Sequence, residues 1–312
     1  MRGRHLGMFL TAAVSAIAMV LISVSWQSAP SAQALWDDTD VTTPPAEVEV
    51  LPERCLEEGE TLPTTPTACK VLSFGKKRPT VVVWGDSHAW QQLPALKVEA
   101  ERTRTNLVAF VMGVCPPVDL RGTKYNGPCA QMANYALAFI RDKLDAKRSV
   151  KVVLGGFWRF YRDLNERSAS GYEPATDREV FMLGRATMFA EGGLKAFRTL
   201  GLWKVHTAAI GQMPWVPEEA PRCTTGELPY GCELPREIAI DDEAGTEAWL
   251  KSRLRGIPTS GYVDATSYVC DVDICHPDLD GLPVYLDELH LDPAITEAFA
   301  PAYAGIFGDT TS

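Results

Sequence analysis

The residues best suited to chemistry are Ser87 and, far downstream, the pair Asp287 and His290. A serine hydroxyl is a weak nucleophile until a base takes its proton, and the base works best when a third group orients it. In Tyr285-Leu-Asp-Glu-Leu-His-Leu291 the aspartate precedes the histidine by three residues. In a turn or short loop that spacing lets the Asp287 carboxylate reach one imidazole nitrogen, leaving the other as a base facing outward. Asp287 would fix the tautomer and stabilise the imidazolium formed when His290 takes the Ser87 proton. The competing reading is a capping aspartate beside a satisfied, half-buried histidine. The order of nucleophile first and acid–base pair last, with alternating strands between, favours catalysis.

Ser87 needs an element that holds it. Thr80-Val-Val-Val-Trp-Gly-Asp-Ser-His88 is an apolar, β-branched run that breaks at Gly85. Val81 to Trp84 show no polar alternation and read as a strand buried on both faces. Gly85 allows the tight turn, and Ala89 to Ala100 read as the helix that follows. Ser87 then lies at the carboxyl edge of a sheet, where open α/β folds place their ligands. Further candidate strands are 80–84, 106–112, 150–155, 203–210 and 284–286, and candidate helices are 89–102, 130–146, 179–199, 243–255 and 294–304. Such alternation predicts a mostly parallel sheet with helices on both faces.

The chain has 312 residues, of which 46% are hydrophobic and 22% charged, with a formal net charge of −10. That length suits one α/β domain with appendages. The acidic balance argues against nucleic acid or anionic lipid as the main partner and says little about a neutral glycan. Arg2, Arg4 and His5 precede an almost wholly apolar stretch, Leu6 to Val24, and Ala32-Gln33-Ala34 follows as a small-residue cleavage site. Residues 1–34 therefore read as a signal peptide or an N-terminal membrane anchor, and either one exports the body of the protein. Residues 35–66, rich in Pro, Thr and Glu, read as a tether. The catalytic domain is expected over 67–308, and Pro214 to Leu234, with four prolines, as a surface insertion.

Eight cysteines fall into four local couples, Cys55/Cys69, Cys115/Cys129, Cys223/Cys232 and Cys270/Cys275. An even count in an exported protein points to disulfides, with neighbour pairing the simplest connectivity. Cys270, Cys275 and His276 also invite a zinc reading, but the spacing lacks a second ligand pair. The acids Asp271, Asp273, Asp278 and Asp280 invite calcium, yet they do not match an EF-hand loop and read better as a solvated disulfide loop. No metal and no diffusible cofactor is expected.

On these motifs the chain resembles the SGNH (GDSL-like) hydrolases, over roughly Lys70 to Ile306. The likeness is greatest to the branch with Gly-Asp-Ser-His, an exported domain often fused to integral-membrane sugar O-acyltransferases. The first block is intact at Gly85 to His88, and the last at Asp287 to Leu291. Gly113-Val-Cys-Pro-Pro117 followed by Cys129 looks like the Cys-Pro-Pro…Cys element of that branch. The resemblance places Gly113 as a backbone N–H donor to the oxyanion and implies a flavodoxin-like three-layer sandwich on a mostly parallel five-stranded sheet. The chain departs from the wider family in two places. No Gly-x-Asn-Asp asparagine stands after Val152-Val-Leu-Gly-Gly-Phe-Trp158; Gly155, Gly156 and Trp158 occupy that position. After His290, Asp292 and Ile295-Thr296 replace the usual Ser and Gly-Ala. Either a backbone N–H near Gly156 or the Trp158 indole N–H compensates for the missing donor, or turnover is modest.

Smaller expectations attach to the neighbours. Asp86 is read as organising the nucleophile turn through backbone N–H groups. His88 either lines the pocket or packs in the first helical turn. Trp158, Arg159, Phe160 and Tyr161 form an aromatic–basic cluster that could stack on a sugar, with a core or rim role favoured for Phe157 and Phe160. Taken together, the sequence predicts an exported serine acyl esterase or O-acyltransferase acting on cell-envelope glycan. Its partners would be an acylated or acceptor glycan and, for a transferase, an integral-membrane acyltransferase. The alternative is a catalytically silent glycan-binding module that keeps the fold.

Overall fold

Five consecutive buried residues, Thr80 to Trp84, have no polar side to turn to water, so their strand must be covered on both faces. A computed structural model shows how this is done; it describes residues 49–308 apart from 172, 175, 217–232, 241, 242, 280 and 281. The segment is β2 (Thr80–Gly85), and the first strand, β1 (Cys69–Leu72), lies at the sheet edge. Strands β3 (Asn106–Val111), β4 (Val150–Gly155) and β5 (His206–Ile210) follow. A two-residue ribbon joins β6 (Leu234–Pro235) to β8 (Ile274–Cys275), and β7 (Gly261–Val263) completes the main sheet.

The main sheet has the order β1-β3-β2-β4-β5-β7. All its pairs are parallel except β1 with β3. Among the parallel strands, the second and first in sequence precede the third, fourth and fifth, which is the flavodoxin-like order. The order reverses between β2 and β4, the switch point at which open α/β folds bind their ligands. Side chains alternate across the sheet as the pleat requires: Val81 and Val83 enter one core cluster, Val82 and Trp84 the other.

Helices cover both faces. They are α1 (Ser87–Trp90), α2 (Leu93–Thr103), α3 (Pro128–Asp145), α4 (Trp158–Ala169), α5 (Asp177–Leu202), α6 (Arg236–Ala239), α7 (Glu243–Leu254), α8 (Pro293–Thr296) and α9 (Ala300–Phe307). The expected helix over 89–102 is thus two helices, since Pro94 begins a new one and leaves Gln91 and Gln92 at the joint. The stretch 294–304 is likewise broken, by a single 3₁₀ turn at Glu297–Phe299.

Two strand assignments change. Residues 284–286, of which Val284 and Tyr285 are fully buried, do not join the main sheet; Tyr285 pairs only with Leu291 in an isolated bridge. The fifth parallel strand is instead β7, three residues too short to stand out in the sequence. The sheet also gains β1, an antiparallel edge, so it has six strands where five were expected.

The stretch expected as a tether is packed from Glu49 onward. Val50, Leu51 and Cys55 are buried in the core, and the Trp90 indole N–H donates to the Thr61 carbonyl at 3.1 Å. The disulfide Cys55–Cys69 fastens this segment to β1. The packed body therefore reaches back well before residue 67, while 1–34 and 35–48 lie outside the described residues. Cys115–Cys129 ties the loop after β3 to the start of α3, and Cys270–Cys275 closes the third expected couple. Each of the two longer loops is worth about 3 kcal/mol by loop-closure entropy. Cys223 and Cys232 lie outside the described residues. With Cys270 and Cys275 joined to each other, no thiol of that couple can ligate zinc. The Asp271 carboxylate there accepts the N–H groups of Asp273 and Ile274, as a loop-closing group does. Of the expected surface insertion, Trp215, Val216 and Leu234 are buried and 217–232 lie outside the described residues.

Candidate functional site

At the reversal of strand order the two strand ends are both glycines. Gly85 and Gly155 end β2 and β4 in register with each other. A Cβ on Gly85 would lie 1.8 Å from the Gly155 carbonyl oxygen, and one on Gly155 would lie 2.7 Å from the Ala89 Cβ. Neither is forced by a left-handed backbone; both are needed because α1 starts directly on the sheet edge. The expected tight turn at Gly85 is thus a close approach of backbone to backbone.

Asp86 caps α1, its Oδ1 accepting the His88 N–H at 2.8 Å. This agrees with its expected role in organising the turn, and the structure adds a second half. Its Oδ2 accepts the Phe157 N–H at 3.0 Å and the Tyr161 hydroxyl at 2.7 Å. Burial pushes the Asp86 carboxyl above the usual carboxylate range, and the Tyr161, Phe157 and His88 donors oppose that rise.

Ser87 is the first residue of α1, with its Oγ 2.8 Å from His290 Nε2. His290 Nδ1 lies 2.9 Å and 3.0 Å from the two Asp287 carboxylate oxygens. Because a carboxylate only accepts, Nδ1 carries the proton, and Nε2 presents its lone pair to the serine hydroxyl. Burial disfavours the charge on Asp287, but the facing His290 ring and the N–H groups of Leu289 and His290 outweigh it, so the carboxyl lies below its usual range. The three residues named from the sequence are therefore joined in one hydrogen-bonded chain.

The segment that carries His290 is irregular but closed. Leu286 N–H donates to the His290 carbonyl, Asp292 N–H to the Val284 carbonyl, and Val216 N–H to the Glu288 carbonyl. Gln91, one helical turn after Ser87, accepts the Leu291 N–H at 2.9 Å and so pins the segment to the nucleophile's helix. Sequence reasoning did not single out Gln91. A pair of amides in the apolar run Ala89 to Leu96 was the available signal, because a fully buried amide must find partners.

The oxyanion candidates separate. Trp158 is fully buried at the start of α4, and its indole N–H is committed to the Ile210 carbonyl at 2.7 Å. It belongs to the core beside Phe189, Phe197 and Trp249, so the expectation that it replaces the missing asparagine is corrected. Gly156 sits between the strand end and Asp86, where a Cβ would come within 3.5 Å of Asp86 Oδ2. Gly113 lies in the turn after β3, and among the described residues neither its N–H nor that of Ser87 has a backbone acceptor.

The aromatic–basic cluster forms the first turn of α4, which the sequence reading left without a helix. Phe157, Phe160 and Tyr161 are buried, so they build core and not a sugar platform. His88 is buried too. Its ring stacks on Phe157 with centroids 4.5 Å apart and lies 5.3 Å from the His290 ring. Burial, reinforced by the neighbouring His290, pushes its pKa well below the ordinary imidazole value, so it is neutral.

A flavodoxin-like sheet with a Ser–His–Asp chain at its switch point defines the class of this protein. The sequence matches the model of the SGNH domain (fused to AT3 domains) over residues 54–305, and the chain belongs to that family. No curated protein matches the sequence. Among solved structures, the periplasmic domain of a lipopolysaccharide acetyltransferase from Salmonella ser. Paratyphi A is similar at 13% identity and a TM-score of 0.48, covering 74% of this chain and 84% of that one. A Streptococcus pneumonia protein described as a "putative platelet activating factor" is similar at 12% identity and a TM-score of 0.36, covering 74% and 85%. The family assignment rests on the domain match and not on these distant neighbours. Three disulfides among the described residues fit an oxidising, exported setting. No helix of the described residues is long and apolar enough to cross a membrane.

Proposed function

We propose that this protein is an exported serine acyl esterase or O-acyltransferase acting on cell-envelope glycan. The observation that carries the reading is the unbroken chain from Ser87 Oγ through the His290 imidazole to Asp287. In the first half-reaction Ser87 Oγ attacks an ester carbonyl carbon while His290 Nε2 takes the hydroxyl proton. The tetrahedral oxyanion is met by the N–H groups of Ser87 and Gly113, helped by the start of α1. As the intermediate collapses, the ester C–O bond breaks and His290 returns the proton to the departing alcohol. The acyl group then passes to water or to a sugar hydroxyl: His290 removes the proton of the attacking oxygen, the acyl–Oγ bond breaks, and the proton goes to Ser87 Oγ. No step needs a metal or a diffusible cofactor.

Family membership supports an acyl-modifying role, since the matched domain is one found fused to AT3 domains. For a transferase, an integral-membrane acyltransferase would be the acyl donor, and residues 1–34 would export or anchor the chain. The test is reaction with a serine-directed fluorophosphonate. Wild type is expected to label and Ser87→Ala not to. A folded wild type that stays unlabelled would falsify the reading in favour of a silent glycan-binding module. Acetate release from an activated ester, with and without glycan acceptor, then separates the two enzymes: an acceptor-independent rate identifies the esterase.

A further inference from the structure

We propose that Tyr161 is a positioning residue for the nucleophile, acting through Asp86; the inference rests on the serine acyl-transfer reading above. Tyr161 lies on α4, fully enclosed, and its hydroxyl donates to Asp86 Oδ2 at 2.7 Å. That oxygen also receives the Phe157 N–H, while the other receives the His88 N–H at the start of the nucleophile's helix. One buried carboxylate thus ties three pieces together: the turn that presents Ser87, the turn that follows β4, and the first turn of α4.

The clamp lies where this chain departs from the wider family. With no asparagine after β4 and the Trp158 indole N–H spent on Ile210, the Gly155-Gly156-Phe157 turn carries no polar side chain. That turn is closed by the Trp158 N–H on the Gly156 carbonyl and tied to the nucleophile's turn by Asp86, and what helps hold Asp86 as an acceptor is Tyr161. All three hydrogen bonds place donors on Asp86, so it serves as a carboxylate, and the phenol hydroxyl is its only side-chain donor among the described residues. The consequence reaches the base as well. Phe157, placed by its N–H, stacks on His88, and the His88 ring lies beside His290. Losing the phenol hydroxyl would loosen the Phe157 turn and the ring contacts that run from α4 to the catalytic imidazole. Small displacements of groups that must meet a transition state are costly in rate while leaving ground-state binding nearly intact.

The experiment compares wild type, Tyr161→Phe and Asp86→Asn by fluorophosphonate labelling rate and by kcat and KM on an activated acetyl ester, with circular dichroism as the folding control. For a folded Tyr161→Phe the labelling rate and kcat are expected to fall by about 10- to 100-fold, with KM close to wild type. In a double-mutant cycle the second substitution should add little to the first, because both break one linkage. A folded Tyr161→Phe that labels and turns over like wild type overturns the inference, as does a fall confined to KM. If Tyr161→Phe fails to fold, Asp86→Asn decides: a wild-type labelling rate there overturns the inference. Absence of labelling in wild type itself sinks the acyl-transfer reading instead, so the two failures are distinct.

Discussion

Two aspartates flank Ser87, one on the sheet side and one on the loop side, and their surroundings drive them in opposite directions. Asp86 is 1% exposed and meets only neutral donors, so burial raises its carboxyl above the usual range. Asp287 is half-buried and faces an imidazole, which brings its carboxyl below that range despite the burial. The first sits at the end of a regular strand and holds backbone in place. The second sits in an irregular segment and is aimed at a ring that must change charge. The same side chain is thus a structural acceptor in one place and an electrostatic partner in the other, and the difference lies in what faces it.

The sharpest test of that division is to remove each charge in turn. Asp287→Asn can still accept the Leu289 and His290 N–H groups, so its fold should persist. With the wrong tautomer favoured, kcat should drop by about 10⁴-fold. Asp86→Asn should do the reverse in emphasis. Its amide confronts donors it cannot all satisfy, so urea denaturation should show a loss of about 1–3 kcal/mol with a smaller fall in rate. If Asp287→Asn proves the less stable and Asp86→Asn the less active, the division fails.

A gentler substitution probes the Trp158 correction. Trp158→Phe removes the indole N–H and leaves the Ile210 carbonyl without its partner, for an expected cost of about 1–3 kcal/mol. Its kcat should stay close to wild type. A large loss of kcat with unchanged stability would return Trp158 to the oxyanion site.

The smallest expected effect is in pH. A carboxyl lowered on folding contributes stability that is present above its unfolded value, ordinarily 3.8, and is lost as pH falls through the folded one. A raised carboxyl does the opposite: its ionisation costs stability at neutral pH, and the cost is relieved on acidification. As pH falls from about 7 to about 4 the stability gap to Asp86→Asn should therefore widen, whereas the gap to Asp287→Asn should hold over that range and narrow only as pH falls below about 4. Gaps that move in the same direction would contradict the opposite shifts.

Much of this site was legible because its parts are local. Asp287 and His290 are three residues apart, and a turn suffices to join them; Ser87 follows a run too apolar to be anything but a buried strand. The three disulfides described join neighbours in sequence for the same reason. Where the reading erred, burial alone was ambiguous. Val284-Tyr285-Leu286 is as apolar as a strand, yet its backbone bonds close its own segment, as when Leu286 donates to His290. Gly261–Val263 is a true strand too short to announce itself. Val50 and Leu51 looked like part of a tether because Pro and Thr surround them, and only their contacts with the core show otherwise.

Residue types and their spacing along the chain settle which atoms could react and in what order they occur: a hydroxyl at a strand end, then a carboxylate and an imidazole within one turn. The tertiary structure alone decided how those atoms are held. It gave the Trp158 N–H to Ile210, the Asp86 carboxylate to Tyr161 and Phe157, and the Leu291 N–H to Gln91. The physical reason is range. Spacing of a few residues constrains groups that share a turn. A buried polar group must find whichever partner the whole packed chain brings beside it.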